Sequence, residues 1–258
     1  MEAVGHGETT CRVIDWVKQE VKPQSGNTGS EVDKTRILNA LHYLFESQNR
    51  GLAQETLGSL EKLSFSGVTL TPIDCAVLSH VIGLCDTIKH LDLWNCHIEC
   101  EGIQRLEPRL HNCQELRLGF NELGDEGVKL VSAALRNPES KIKSLWLGDV
   151  GLTDSVTEDL VSALITDRSL TELDLSDQKL GDSGVKLVSA ALRNPECKIQ
   201  KLGFWCRGSR LHSQDKPITD VAGPGIKLAY RPICPRSPPP QTDPPESGVD
   251  AAGGESVQ

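Results

Sequence analysis

From Leu60 onward, apolar residues fall into six short alternating runs, each followed by a longer stretch of polar and apolar residues. The runs are LEKLSFSGVTL from Leu60, IKHLDLWNCHI from Ile88, CQELRLGFNEL from Cys113, IKSLWLGDVGL from Ile142, LTELDLSDQKL from Leu170 and IQKLGFWCRGS from Ile199. All but the last fit L-x-x-L-x-L-x-x-z-x-L, with Ile, Cys or Phe replacing some leucines. The second apolar position falls at Leu63, Leu91, Leu116, Leu145, Leu173 and Leu202, at intervals of 28, 25, 29, 28 and 29 residues. Leu145 and Leu147 flank an outward Trp146, the alternation of a short strand buried on one face. Between the runs, Val128, Val131, Ala134 and Leu135 recur at helical spacing. Asp125 and Asp182 stand where a helix cap is expected, and Asn137-Pro138 where the helix must stop.

One strand cannot bury its apolar face alone, so units of this period must stack into a continuous core. The predicted fold is therefore α/β, a leucine-rich-repeat solenoid with a parallel concave sheet and convex helices. The phrase GVKLVSAALRNPE occurs at Gly127 and again, letter for letter, at Gly184, which is 184 − 127 = 57 residues later. Two units of 28 and 29 make that period, so duplication supplied the copy and stacking geometry tolerated it. The second unit is shorter and carries Pro108, which predicts a kinked or very short convex helix.

The organisation expected is a mostly disordered segment over 1–33, with one short helix around IDWVKQEV, a helical cap over 34–59, six repeats over 60–206 and a Pro/Gly-rich disordered tail over 207–258. Ile37, Leu38, Leu41, Leu44 and Phe45 form the apolar stripe that covers the first repeat. The tail cannot bury enough apolar surface to order itself; a PxxP-type ligand at Pro235 to Pro240 is the alternative. No cap is evident after the sixth strand. That predicts an open sheet edge, a fragment or spliced form of something larger, or a tail that folds back over the edge.

Composition narrows the chemistry. A net charge of −9 and pI near 5.3 argue against nucleic acid. No run approaches a membrane span, MEAVGHGETT is no signal peptide, and nine cysteines without a disulfide framework suit a reduced, cytoplasmic protein. There is no P-loop for a nucleotide and no nucleophile elbow, so no enzyme and no cofactor is expected. Cys96, His97, Cys100, His111 and Cys113 cluster in sequence, but Cys96 and Cys113 take core positions of successive repeats, so buried thiols are expected in place of a metal site.

What remains is the concave surface. Its residues read Ser64 and Ser66; His90, Asp92, Trp94 and Asn95; Glu115, Arg117 and Phe120; Trp146 and Asp149; Glu172, Asp174, Ser176 and Asp177; then Lys201 and Trp205. Three of the four tryptophans fall in this set, and large rings facing water in a cluster mark a contact surface. The partner-binding candidates are Trp94, Arg117, Phe120, Trp146, Asp149, Glu172, Asp174, Asp177 and Trp205, with the acidic members favouring a basic protein partner. Truncating Trp94 and Trp146 to Ala is then expected to remove binding without changing the melting temperature. The bland alternative is that the rings cover neighbouring strands and bind nothing.

LDLSDQKLGDSGVKLVSAALRNPECKIQKL, from Leu173, resembles the ribonuclease-inhibitor-like repeats of vertebrate NOD-like receptors, and looks most like the large fish set of NACHT and leucine-rich-repeat proteins. The resemblance covers about residues 34 to 206, with ILNALHYLFESQN similar to the helical stretch that precedes the repeats there. It implies a horseshoe arc and a recognition role in innate immune sensing or its regulation. A ribonuclease-inhibitor-like enzyme inhibitor is the alternative, although six strands span only about 24 Å. No NACHT module is present, so the family's nucleotide binding does not carry over. Asn is kept at position z in Asn121, but Val150 and Gln178 stand there in other units, which predicts an imperfect turn ladder.

Overall fold

The structure, a computed structural model, describes residues 30–204 and 225–229, with Asp15 alone before them. Expectations for the rest of the two termini, and for Trp205, fall outside the described residues. Two helices come first, α1 (Glu31–Glu46) and α2 (Arg50–Leu57). They are followed by β1 (Lys62–Ser64), α3 (Pro72–Leu84), β2 (Ile88–Asp92), α4 (Cys100–Leu110), β3 (Cys113–Arg117), α5 (Gly124–Arg136) and β4 (Ser144–Trp146). A 3-10 turn (Asp154–Val156), α6 (Thr157–Thr166), β5 (Glu172–Asp174), α7 (Asp182–Leu192), β6 (Lys201–Gly203) and β7 (Lys227–Ala229) complete the chain.

The strands form one parallel sheet in sequence order, β1 to β7. Its register is the leucine period itself: Leu63 pairs with Leu91, Leu91 with Leu116, Leu116 with Leu145, Leu145 with Leu173 and Leu173 with Leu202. All six leucines are buried. Val128, Val131, Ala134 and Leu135 of α5 are buried behind them, as are Val185, Val188, Ala191 and Leu192 of α7, so the repeated phrase writes the same inward helical face twice. The chain is an α/β solenoid with one parallel sheet and helices alongside.

Ser30 caps α1 reciprocally with Asp33, and Thr71 caps α3 with Asp74, with Pro72 at its first turn. The α1 stripe Ile37, Leu38, Leu41 and Leu44 is buried, with Phe45 packed at its margin. His42 Nε2 lies 2.6 Å from Asp74, and Lys34 Nζ donates to the Ser66 carbonyl at 2.6 Å, so polar contacts fix α1 to the first repeat.

The convex helix of the second unit is not short. It runs eleven residues, Cys100–Leu110. Pro108 sits in its last turn, where one lost hydrogen bond matters little with two residues still to run. The unit saves its length in the next connection, where only His111 and Asn112 separate helix from strand. Of the outcomes offered for the end of the sheet, the tail folding back over β6 is the one found: Leu228 of β7, inside the segment expected to be disordered, pairs with Leu202 and packs at the core margin. Ile226 and Leu228 alternate there without the rest of the motif, too little pattern to announce a strand.

Asp125 and Asp182 are not caps of their own helices either. Asp182 is the first residue of α7 and follows its cap position, Gly181. Asp125 lies inside α5, and its carboxylate reaches to the next unit, accepting from Thr153 N at 2.9 Å, Thr153 Oγ1 at 2.7 Å and Ser155 Oγ. Asp154 repeats the device one unit on, accepting from Gly181 N at 2.8 Å and from Ser183 Oγ. Burial works to raise the Asp125 pKa, and the bonds from Ser155 and Thr153 outweigh it, so the carboxyl titrates below its ordinary value. A depressed folded pKa stabilises above the unfolded value, near 3.9, and that stability is lost as pH falls through the folded pKa. Asp125→Ala is expected to cost about 1–2 kcal/mol, read as a lower urea midpoint at neutral pH, with the gap from wild type closing in strong acid.

Position z shows why two units make the period. Asn121 reaches back to the preceding loop: its Oδ1 accepts from Cys96 N and Ile98 N at 3.0 Å, and its Nδ2 donates to Leu93 O at 2.7 Å and Leu118 O at 2.8 Å. Gln178 serves its predecessor likewise, accepting from Leu152 N at 3.1 Å and donating to Leu147 O. At the junctions between, no side-chain amide takes part: at the first the Cys96 thiol donates to Phe65 O at 3.1 Å, and backbone bonds serve both. Leu70 N donates to Cys96 O at 2.9 Å, and Gly124 N to Val150 O at 3.0 Å. The ladder is therefore imperfect at Val150, as expected, whereas glutamine's extra methylene does not break it at Gln178.

Candidate recognition surface

Side chains that alternate with the buried leucines stand on the sheet face turned away from the helices. The strand register arranges them in rows. One row runs Lys62, His90, Glu115, Ser144, Glu172, Lys201 and Lys227, and the next runs Ser64, Asp92, Arg117, Trp146, Asp174 and Gly203. Within the first row side chains pair across strands: His90 Nδ1 with the Glu115 carboxylate, and Lys201 with Glu172. In the second, Arg117 lies 4.0 Å from Asp92 and spreads its guanidinium 5.0 Å from the centre of the Trp146 ring.

The tryptophans do not face water as expected. Trp94 is 4% exposed and Trp146 is 5% exposed. Trp94 lies across the next unit, where a Cβ on Gly119 would come within 2.4 Å of its ring, so only glycine gives the ring its seat. Phe120 closes over Trp94 with 4.5 Å between ring centroids. The acidic members are also largely committed. Glu172 holds Lys201, Asp174 is buried and accepts from Ser176 N at 2.8 Å, and Asp177 is buried. Half-exposed Asp149 makes no side-chain hydrogen bond or ion pair among the described residues. The acidic field expected from Glu172, Asp174 and Asp177 thus contracts to Asp149.

The residue before z turns left-handed in every described unit: Gly67 (φ 82°), Asn95 (52°), Phe120 (57°), Asp149 (52°) and Asp177 (60°). Gly, Asn and Asp tolerate that conformation, whereas a bulky side chain does not. Phe120 costs about 1–2 kcal/mol there. It is also half-exposed.

The suspected metal cluster separates. Cys96 and Cys113 are buried in successive units, Cys100 and His111 are half-buried, and His97 is exposed. The Cys96 thiol donates to Phe65 O at 3.1 Å. Burial pushes the thiols of Cys75, Cys96 and Cys113 up to about 12 and that of Cys85 up to about 11, so they stay protonated and unreactive. Among the described residues no three potential ligands converge on a metal position, and no helix is long and apolar enough to cross a membrane.

The geometry defines a leucine-rich-repeat solenoid, and the Leucine Rich repeat family matches at residues 111–132 and 166–189. The chain is a leucine-rich-repeat protein, and its repeats are related to those of the NACHT, LRR and PYD domains-containing proteins. Protein 12 of that name from Mus musculus is 38% identical over 170 residues, 64% of this chain and 15% of the relative. Protein 3 from Bos taurus is 36% identical over 171 residues, 64% and 16% respectively. Protein 3 from Rattus norvegicus is 31% identical over 236 residues, 76% of this chain and 22% of that relative. This chain spans less than a quarter of each of these relatives. A solved structure of Leiomodin-1 Actin-Binding Site 2 aligns with 60% of this chain and 75% of its own, at 14% identity and a TM-score of 0.40, a likeness too loose to carry weight.

Proposed function

We propose that the chain is a non-enzymatic protein-recognition module, acting in cytoplasmic innate immune sensing or its regulation, which holds a protein partner on the concave sheet face. The carrying observation is the cluster at the centre of that face: the Trp94–Phe120 ring pair and the Arg117–Trp146 stack on adjoining units. The two tryptophans hold the cluster rigid from beneath, and half-buried Arg117 is of a type enriched at interface hot spots. His90 and Glu115, with side chains 41% and 37% exposed, frame the cluster with a pair that a partner can reach. The repeats of NACHT and leucine-rich-repeat relatives supply the receptor context.

The test compares two double variants of the full chain as baits in cell extract, with retained proteins quantified by mass spectrometry. His90→Ala/Glu115→Ala removes the pair together and leaves no orphan charge. Glu158→Ala/Lys186→Ala alters exposed positions on the helical side. At least one protein is expected to drop tenfold or more with the first variant and to persist with the second. Retention unchanged by the first variant, or lost equally with both, overturns the reading.

A further inference from the structure

On the basis of that recognition role, we propose that Phe120, backed by Trp94 and flanked by Asp149, is the seat for an arginine side chain of the partner protein. The molecule already contains one such seat, filled from within. Arg117 lies on the ring of Trp146 with the Asp92 carboxylate 4.0 Å away. A planar cation on an aromatic face, with a carboxylate beside it, satisfies both the ring's negative face and the guanidinium's charge.

The same ingredients recur one step toward the rim of the sheet. Phe120 and Asp149 occupy the equivalent left-handed position in adjoining units, and Phe120 N donates to Gly148 O at 2.8 Å, so their backbones run side by side. Neighbouring units lie about 4.8 Å apart, which places the carboxylate within reach of a cation resting on the ring. Among the described residues, the cation–ring contact is that of Arg117 with Trp146, and none is made on Phe120 or Trp94. Among the described residues, the second seat has the ring pair and the carboxylate but no cation on the ring.

Asn95, Asp149 and Asp177 show what this position ordinarily accepts, so Phe120 is held there against the preference of the backbone. Its ring covers Trp94 on one side and is half-exposed. Arginine is preferred to lysine because a planar guanidinium can stack on the ring and present its edge to the carboxylate at once.

The probe is the peptide N-acetyl-Gly-Gly-Arg-Gly-Gly-amide, titrated into the full-length protein while the tryptophan indole N–H signals are followed by NMR. The Gln-centred and Lys-centred peptides serve as comparators. Saturable, millimolar shifts of the Trp94 signal are expected with the arginine peptide, with binding at least threefold weaker for each comparator. Phe120→Asn is expected to fold with a melting temperature at or above the wild type's and to bind the arginine peptide at least threefold more weakly. Asp149→Asn is expected to do the same by a second route, and to remove most of the dependence on salt. No shift at 20 mM arginine peptide, or weakening below threefold for a comparator or for either folded variant, overturns the proposal. If that happens while His90→Ala/Glu115→Ala still loses its partner, the recognition face stands and its anchor lies elsewhere.

Discussion

Asn121→Ala is expected to lower the stability of the chain by about 4 kcal/mol, measured as a shift of the urea midpoint. The side chain is buried and its amide serves two N–H groups and two carbonyls in the turns of adjoining units. Truncation leaves Cys96 N and Ile98 N without their acceptor, each an uncompensated desolvation of about 1–3 kcal/mol. Water cannot fully replace the amide where Cys96, Ile98, Leu93 and Leu118 are all buried. Val150 occupies the same motif position and forms a sound junction, so the loss belongs to the junction between the second and third units and not to the motif in general. A solenoid's stability is a sum of unit and nearest-neighbour terms, so this variant is expected to broaden the unfolding transition as well as shift it. A loss below about 1 kcal/mol would mean that the backbone alone satisfies that junction.

Trp146→Ala is expected to cost about 3–5 kcal/mol, the range for truncating a buried large aromatic. The ring is 5% exposed and lies beneath the Arg117 guanidinium, so removing it opens a void and strips a cation of its seat. A water-facing contact residue would behave in the opposite way, with a melting temperature that hardly moved. A variant that lost both binding and fold would say nothing about recognition. Phe120, half-exposed and strained, separates the two effects. Should Trp146→Ala melt within about 2 °C of wild type, the packing described for the centre of this face would be wrong.

These contrasts mark what could be read from the chain. Leu63 through Leu202 gave the strands, their parallel register and the buried face, because a period repeated six times leaves one arrangement that buries it. Alternation states which face a side chain takes but not what neighbouring units lay over it. Trp94 is covered because Gly119 leaves room on the next strand, and glycine at that row position was the available signal. Asp125 looks like a cap for the same reason: a one-dimensional reading assigns a carboxylate to its own helix, whereas stacking offers it the next unit. The left-handed row could have been inferred from Gly67, Asn95, Asp149 and Asp177. Phe120 hides the rule by breaking it.

The alternation of amide and backbone junctions constrains how such a chain can change length in a genome. Excising one unit would bring unlike partners together, leaving an amide without its loop or a loop without its amide. Excising or inserting two restores the order at both new boundaries. Steps of two are therefore the changes in length that leave each z residue of this array facing the kind of loop it now serves. The thirteen residues that recur 57 positions apart are what one such step leaves behind.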